Sequence, residues 1–504
     1  MLPARIRTLA IGTGLAVVLS GAALAAPMGT EQARHLLART GFQPTPQEVA
    51  AFERLSHGEA VERILSTMRP KAATPLPDWM GMSPAEFFQA NREIRREKRE
   101  MKEAAEVKGE AKDRRDRIVG LVRQQGGDAK AWWYREMLNT TSPFTERMVL
   151  FWHNHFTSSV QKVKYVPALM RQNELFRREA AGNYARLLRD VARDPAMLMY
   201  LDGATSRKGQ PNENFARELL ELFTVGEGQY GEQDIKEAAR AFTGWSVDRQ
   251  TGAYRVYPAL HDDGSKDFLG RSGNFDGDDI LAAVLAHPRT SERLVEKLWR
   301  EFVSPQPDAA EVKRLAALLR QNDYEMKPLL QALFLSAAFQ DPKNRGTLFK
   351  SPVEMTVGTL RLLQMPVDDT LRLVRGGRLL GQDIFDPPNV KGWSGGEKWI
   401  SSYTLMLREQ GLQRIIQATQ VAYGRRDMAR PMADKEQLEE TPVEGRSMRN
   451  VPMALRLPPA LNGIETARLE RILLALPPLT AVARDAAPGA AVAQMMLDPV
   501  YQLK

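Results

Sequence analysis

Apolar residues recur at helical spacing along most of the chain. Residues 212–226 place Phe215, Leu219 and Leu222 three or four positions apart, which puts them on one face of a helix. The same period extends through segments 234–243, 280–302, 309–321, 327–339 and 353–364. The pattern therefore predicts an all-α fold, built as a multi-helix globular array.

Strand-like alternation is scarce in this sequence, and residues 254–257 are its best short example. We therefore expect at most a small β-hairpin near 246–260. Residues 226–231 satisfy the G-x-G-x-x-G pattern, but the residues before them have a helical period, whereas a dinucleotide loop follows a strand. We interpret 226–231 as a short link between two helices that pack as neighbours, 212–225 and 235–242.

The first 25 residues resemble a secretory signal peptide. Arg5 and Arg7 precede an apolar run, and Ala23-Leu24-Ala25 has the small residues that a signal peptidase accepts. We place the cleavage after Ala25 and expect a periplasmic or secreted protein of the Sec type. No later stretch approaches the ~18 apolar residues of a membrane-spanning helix, so we expect no transmembrane anchor after cleavage.

The rest of the chain divides by composition. Residues 26–425 form the predicted helical domain, in which 92–117 stand out as a charged helical insertion with 11 basic and 8 acidic residues. Residues 427–462 collect proline, glycine and charge without a period, which indicates a linker or a disordered loop. Residues 463–504 resume helical character and are predicted to pack on the main domain.

Composition narrows the chemistry. The chain has 504 residues, no cysteine and a net charge of +8, which falls to +6 when Arg5 and Arg7 leave with the signal peptide. The absence of cysteine excludes thiolate nucleophiles, cysteine zinc sites and iron–sulfur clusters. The remaining charge is dilute and mixed in sign, so we expect no nucleic-acid partner.

Two polar segments carry the candidate functional residues. A predicted helix start supplies Asn212, Glu213, Asn214, Arg217, Glu218 and Glu221, and a loop supplies His261, Asp262 and Lys266. Since Asn214, Glu218 and Glu221 are spaced i, i+4, i+7, they share a helix face. We predict that some of these groups line a polar cleft together with His153 or His155.

Three histidines are candidate ligands for a divalent metal, namely His153, His155 and His261. His153 and His155 are two positions apart, so on a helix they point about 200° from each other and cannot share a metal. Phe151, Trp152 and Phe156 surround them, which favours a hydrogen-bonded core histidine for at least one of the pair.

Several segments together resemble a bacterial family, the domain of unknown function 1800 family. They are FWHNHF (151–156), DPAMLMYLD (194–202), NENFARELLELFTVG (212–226), EQDIKEAARAFTGW (232–245), HDDGSKDFLG (261–270), AHP (286–288), KSPVE (350–354) and PPNVKGW (387–393). The resemblance implies a mainly helical secreted or periplasmic protein and carries no known activity. It also implies a partner, a secreted protein of the domain of unknown function 1501 family, which resembles sulfatases and phosphatases.

The sequence leaves two function classes open. The first is a non-catalytic binding or assembly protein that acts with a secreted partner, and it follows from the helical pattern and the implied partner. The second is a metal-assisted hydrolase that uses a cluster of His, Glu and Asp side chains. Whether the three candidate histidines converge on one pocket separates the two.

Overall fold

The structure, a computed structural model, describes residues 26–89, 108–428 and 457–504. Within these ranges the chain is mainly helical, which confirms the predicted fold class. The predicted signal peptide, residues 92–107 of the charged insertion and residues 429–456 of the predicted linker lie outside the described residues. No helix in the described ranges has the length and apolarity needed to span a bilayer.

The first half of the molecule consists of helices joined by short loops. These helices are α1 (Gly29–Thr40), α2 (Pro46–Phe52), α3 (His57–Ser66), α4 (Lys108–Asn139), α5 (Pro143–His155), α6 (Val160–Val163), α7 (Val166–Arg178), α8 (Tyr184–Ala192), α9 (Pro195–Tyr200), α10 (Glu213–Glu218) and α11 (Glu232–Ala241). Capping boxes at Thr45 and Ser56 fix the starts of α2 and α3.

Two antiparallel hairpins follow α11. β1 (Trp245–Val247) pairs with β2 (Tyr254–Val256), which confirms the predicted hairpin near 246–260. β3 (Lys266–Phe268) pairs with β4 (Arg271–Gly273), and this second hairpin was not predicted. Its strands have only three residues each, too few to show a period of two in the sequence.

The second half is again helical. Its helices are α12 (Gly277–Ala286), α13 (Pro288–Phe302), α14 (Ala309–Gln321), α15 (Met326–Phe334), α16 (Ala337–Gln340), α17 (Pro352–Leu362), α18 (Leu371–Leu379), α19 (Ser402–Met428), α20 (Thr466–Leu473) and α21 (Pro488–Leu497). The periodic segment 280–302 is two helices, because Pro288 ends the first and begins the second.

The predicted helix 212–225 is only partly α-helical. α10 ends at Glu218, and the chain continues as a π-helix over Leu219–Phe223. The predicted packing of this segment against α11 is confirmed, since the rings of Phe215 and Phe242 meet edge to face with centroids 4.9 Å apart. The 226–231 link therefore connects two neighbouring helices.

Two groups of buried side chains hold the molecule together. A large apolar core runs through α1 to α16, and a smaller one lies between α17, α19, α20 and α21. Arg468 of α20 contacts Glu53 at 2.8 Å, so the C-terminal segment also attaches to the N-terminal helices. Lys504 is buried against Glu354, which in turn pairs with Arg147.

Candidate functional site

The polar segment after Pro211 begins a helix that changes its winding. Asn212 caps α10, and its Oδ1 accepts a hydrogen bond from the backbone N–H of Asn214 at 3.0 Å. The segment that follows is a π-helix, a rare winding that is frequently found at functional sites. Side chains from other helices stabilise it: Lys297 Nζ donates to the Leu222 carbonyl at 2.8 Å, and the Tyr184 hydroxyl donates to the Phe223 carbonyl at 2.7 Å.

An open recess lies beside this helix, with a volume of about 490 Å³. We call it the Tyr200 recess. It is lined by Ser159, Gln161, Lys162, Lys164, Tyr200, Asp386, Pro387 and Pro388. The lining comes from α6, from the end of α9 and from the loop before α19, so three distant parts of the sequence form one surface.

Asp202 connects the recess to α10. One of its oxygens, Oδ2, accepts hydrogen bonds from Lys162 Nζ at 2.8 Å and from Asn214 Nδ2 at 3.1 Å. The backbone of Asp202 is left-handed, with φ of 59°, a conformation that aspartate adopts more easily than most residues. Lys162 also lies over the Tyr200 ring, 5.4 Å from its centroid. These contacts place Asn214 at the edge of the recess.

The loop that supplies the opposite wall is fixed by Asn154, the central residue of the His-Asn-His tripeptide. Asn154 Oδ1 accepts a hydrogen bond from the backbone N–H of Trp393 at 2.7 Å. Gly392 has φ of +86° and touches Asn154 so closely that a Cβ there would overlap the amide oxygen. At the other end of the loop, Asp386 accepts from Lys130 Nζ at 2.7 Å and from the Gln161 backbone N–H at 3.1 Å.

Glu218 and Tyr200 are the titratable groups whose protonation the site alters. Burial raises the pKa of Glu218, and the nearby Glu221 carboxylate raises it further. Among the described residues, none donates a hydrogen bond to the Glu218 carboxylate or forms an ion pair with it. Burial and the carboxylates of Glu218 and Asp386 raise the pKa of Tyr200 to about 12, so its hydroxyl stays protonated. Glu221 lies 3.5 Å from Lys391 Nζ.

Both histidines of the tripeptide are core residues with hydrogen bonds. His153 Nε2 accepts from Asn173 Nδ2 at 3.0 Å, and burial together with the Arg177 charge lowers its pKa to about 3. His155 Nδ1 accepts from Lys297 Nζ at 2.8 Å. Burial and the neighbouring cations hold the pKa of His155 well below its usual value. Each imidazole is therefore neutral and buried, and neither lines the recess.

The His261 loop forms a separate polar group. His261 Nδ1 is 2.9 Å from the Thr243 carbonyl oxygen, and Asp262 accepts two hydrogen bonds from Arg240. The Arg240 guanidinium lowers the pKa of Asp262 to about 2. Lys266 is buried and donates to the Asp262 and Gly264 carbonyls at 2.7 and 2.9 Å. In the described part of the chain, no hydrogen bond or ion pair joins this loop to His153 or His155.

The predicted site residues therefore fall into separate places. Asn214 is linked to the recess through Asp202 and Lys162, and the Glu218 carboxylate is close enough to Tyr200 to raise the pKa of its hydroxyl. Glu213 and Arg217 are half-exposed and form a surface ion-pair group with Glu232. Within residues 26–89, 108–428 and 457–504, no three His, Asp or Glu side chains are grouped so that they could hold a metal ion. Among the described residues, the candidate metal ligands therefore form no common site.

Several residues in and next to the recess were not predicted from the sequence. They are Lys162, Tyr200, Asp202, Asp386 and Lys391. Four of these five lie in or next to segments with a recognisable sequence, since Tyr200 and Asp202 end the 194–202 segment, Lys391 belongs to PPNVKGW and Asp386 directly precedes it. Lys162 has no local sequence signal, because only the fold brings it to Asp202.

Comparison with known proteins adds a family. Residues 35–503 match the family described as "Protein of unknown function (DUF1800)". The chain belongs to this family. The match covers nearly all of the described residues, so the Tyr200 recess and both hairpins lie inside the family region of this DUF1800 protein. Searches among curated proteins and among solved structures find no match.

Proposed function

We propose that this DUF1800 protein is a non-catalytic binding or assembly protein, and that it uses the Tyr200 recess to hold a secreted partner. One observation carries the proposal: segments that make the family recognisable, far apart in sequence, meet at this recess. The 194–202 segment supplies Tyr200 and PPNVKGW supplies Pro388, while Asn214 of NENFARELLELFTVG is linked to the recess through Asp202 and Lys162. A surface that a fold assembles from such segments is a natural place for a shared function.

The polar groups around the recess suit recognition. Lys162 is paired with Asp202, Asp386 with Lys130, and Glu221 with Lys391. Because these charges are already held in place, a partner meets them with little ordering cost. The protonated Tyr200 hydroxyl adds a neutral hydrogen-bond donor. This arrangement supports a rigid docking surface for a protein of complementary shape.

The proposed partner is a secreted protein of the domain of unknown function 1501 family, which resembles sulfatases and phosphatases. The proposal also places the chain in the periplasm or outside the cell, after cleavage behind Ala25. Both parts rest on the family membership and on the apolar N-terminal segment. Co-purification of the two proteins tests the partner and does not depend on the exact compartment.

Co-expression of the mature chain with that partner tests the proposal. We expect the two proteins to co-purify. We expect the double variant Lys162→Glu, Lys391→Glu to bind at least tenfold more weakly, because it reverses one cation of the recess and one on the loop that carries Pro388. The matched control is Lys313→Glu, Lys327→Glu, which reverses two exposed lysines on α14 and α15. The control should bind within about twofold of wild type.

Two results would overturn the proposal. Failure of the wild-type proteins to associate at micromolar concentration would remove the partner. Equal affinity of the recess variant and wild type, with unchanged thermal unfolding of both, would remove the recess as the docking surface.

A further inference from the structure

A second surface lies next to the recess, between α4 and α18. It is a groove of about 940 Å³ that shares Gln161, Lys164 and Asp386 with the Tyr200 recess. Two large apolar side chains in it are open to solvent, because Val119 is 47% exposed and Leu371 is 42% exposed. We call this surface the α4–α18 groove.

The charge of the α4–α18 groove is one-sided. Its two carboxylates, Asp383 and Asp386, are both bound by Lys130 Nζ, at 2.6 and 2.7 Å. Four other cations remain on its walls, namely Arg123, Lys164, Arg375 and Arg378. Within the described residues, no acid forms an ion pair with Arg123, Lys164 or Arg375, and Arg378 is 3.8 Å from Asp383. The groove therefore presents positive charge to a ligand.

The floor of the groove is aliphatic. Val122 of α4, Val160 at the start of α6, and Val374 of α18 line it. No aromatic side chain lies among its lining residues, so it offers no platform on which bases could stack. An aliphatic trough between two helices, with cations along its rims, has the properties of a helix-in-groove site.

We propose that the α4–α18 groove binds an acidic amphipathic helix of a partner protein. The apolar face of that helix would cover Val119, Val122 and Val374, and its acidic residues would meet the cations on the rims. The wall from Ile118 to Lys130 is about 18 Å long at 1.5 Å per residue, which matches a partner helix of about twelve residues. This inference goes beyond the recess proposal and does not require it.

Peptide binding to the full mature chain tests the inference. The probe is a fluorescent 16-residue peptide with Leu at i, i+3, i+4 and i+7 and Glu at most other positions. We expect it to bind with a Kd that rises with salt, because charges at the rim are screened. Two comparison peptides are a scrambled sequence of the same composition and the same pattern with Lys in place of Glu, and both should bind at least tenfold more weakly.

The variant Arg375→Glu, Arg378→Glu should weaken binding of the Glu peptide at least tenfold, while Lys313→Glu, Lys327→Glu stays within about twofold. Equal binding of the scrambled peptide would show that the groove attracts any negatively charged peptide, and this would overturn the inference. Self-association of the free chain that Arg375→Glu, Arg378→Glu abolishes would also overturn it, because a second copy would then cover the groove. The peptide assay contains no recess partner, so the two proposals can fail separately.

Discussion

Lys297 is a partly buried residue that supports the π-helix, and its lowered pKa predicts a pH dependence of stability. Its Nζ donates to His155 Nδ1 and to the Leu222 carbonyl, both at 2.8 Å. Burial, with the charges of Arg293 and Arg300, lowers its pKa to about 7 from an ordinary value of 10.5. The folded protein therefore holds this lysine largely neutral above pH 7, whereas the unfolded chain keeps it charged up to about pH 10.

The sign of the pH effect follows from proton uptake. Between pH 7 and 10.5 the unfolded state binds more protons at Lys297 than the folded state, so the free energy of unfolding rises with pH in this window. Each pH unit inside the window is worth at most about 1.4 kcal/mol for one group. Because titration near pH 7 is incomplete, the gain from pH 7 to pH 9 is about 2 kcal/mol.

Lys297→Met removes this titration and should remove that part of the pH dependence. Urea unfolding at pH 7 and pH 9 measures it, as the difference between the two pH values in wild type minus the same difference in the variant. This double difference cancels the contribution of other lysines with lowered pKa values, such as the buried Lys504. The control Lys236→Met changes an exposed lysine of α11 and should leave the pH dependence unchanged. The same pH dependence in Lys297→Met and wild type would show that the titration of Lys297 does not contribute to the pH dependence of stability.

Two further substitutions test the loop and the helix of the site. Gly392→Ala should destabilise the protein by about 2 kcal/mol or more, because the new Cβ overlaps Asn154 where φ is positive. Gly209→Ala, with φ of +79° and open space around it, should cost about 1 kcal/mol, and equal melting temperatures of the two variants would contradict this. Glu218→Gln should melt no lower than wild type at pH 8, because burial raises the Glu218 pKa and its charge opposes folding above that pKa. A clear drop would reveal a stabilising partner.

The periodic apolar pattern was enough to predict most of the helices. Segment 309–321 coincides with α14. The packing of 212–225 against 235–242 was expected from the short link between them, and the contact of Phe215 with Phe242 is part of it. The π-helix could not be predicted from the sequence. It has more residues per turn than an α-helix, but over only five residues this shifts the apolar stripe too little to be recognised. The β3–β4 hairpin was missed for a similar reason, because its two strands are very short.

The candidate site was harder to predict than the fold. Sequence periodicity identifies which residues share a face, and it correctly grouped Asn214 with Glu218. It gives no information on which distant element covers that face. Consequently His153 or His155 and the His261 loop were expected beside α10. Instead, Asn214 binds Asp202, which in turn binds Lys162. Glu218 was predicted as a candidate for the polar cleft, and in the structure it is half-buried and close enough to Tyr200 to raise the pKa of that hydroxyl.

Site-specific photo-cross-linking is the most direct test of whether the partner docks at the Tyr200 recess. A benzophenone side chain replaces exposed Pro388 in the mature chain, with the same replacement of exposed Lys313 as the control. After irradiation with the co-expressed partner, mass spectrometry counts the adducts at each position. We expect adducts to the partner at position 388 that disappear when Lys162→Glu, Lys391→Glu is added, and none at position 313. Equal cross-linking at both positions, or none at 388 while the complex still co-purifies, would contradict it.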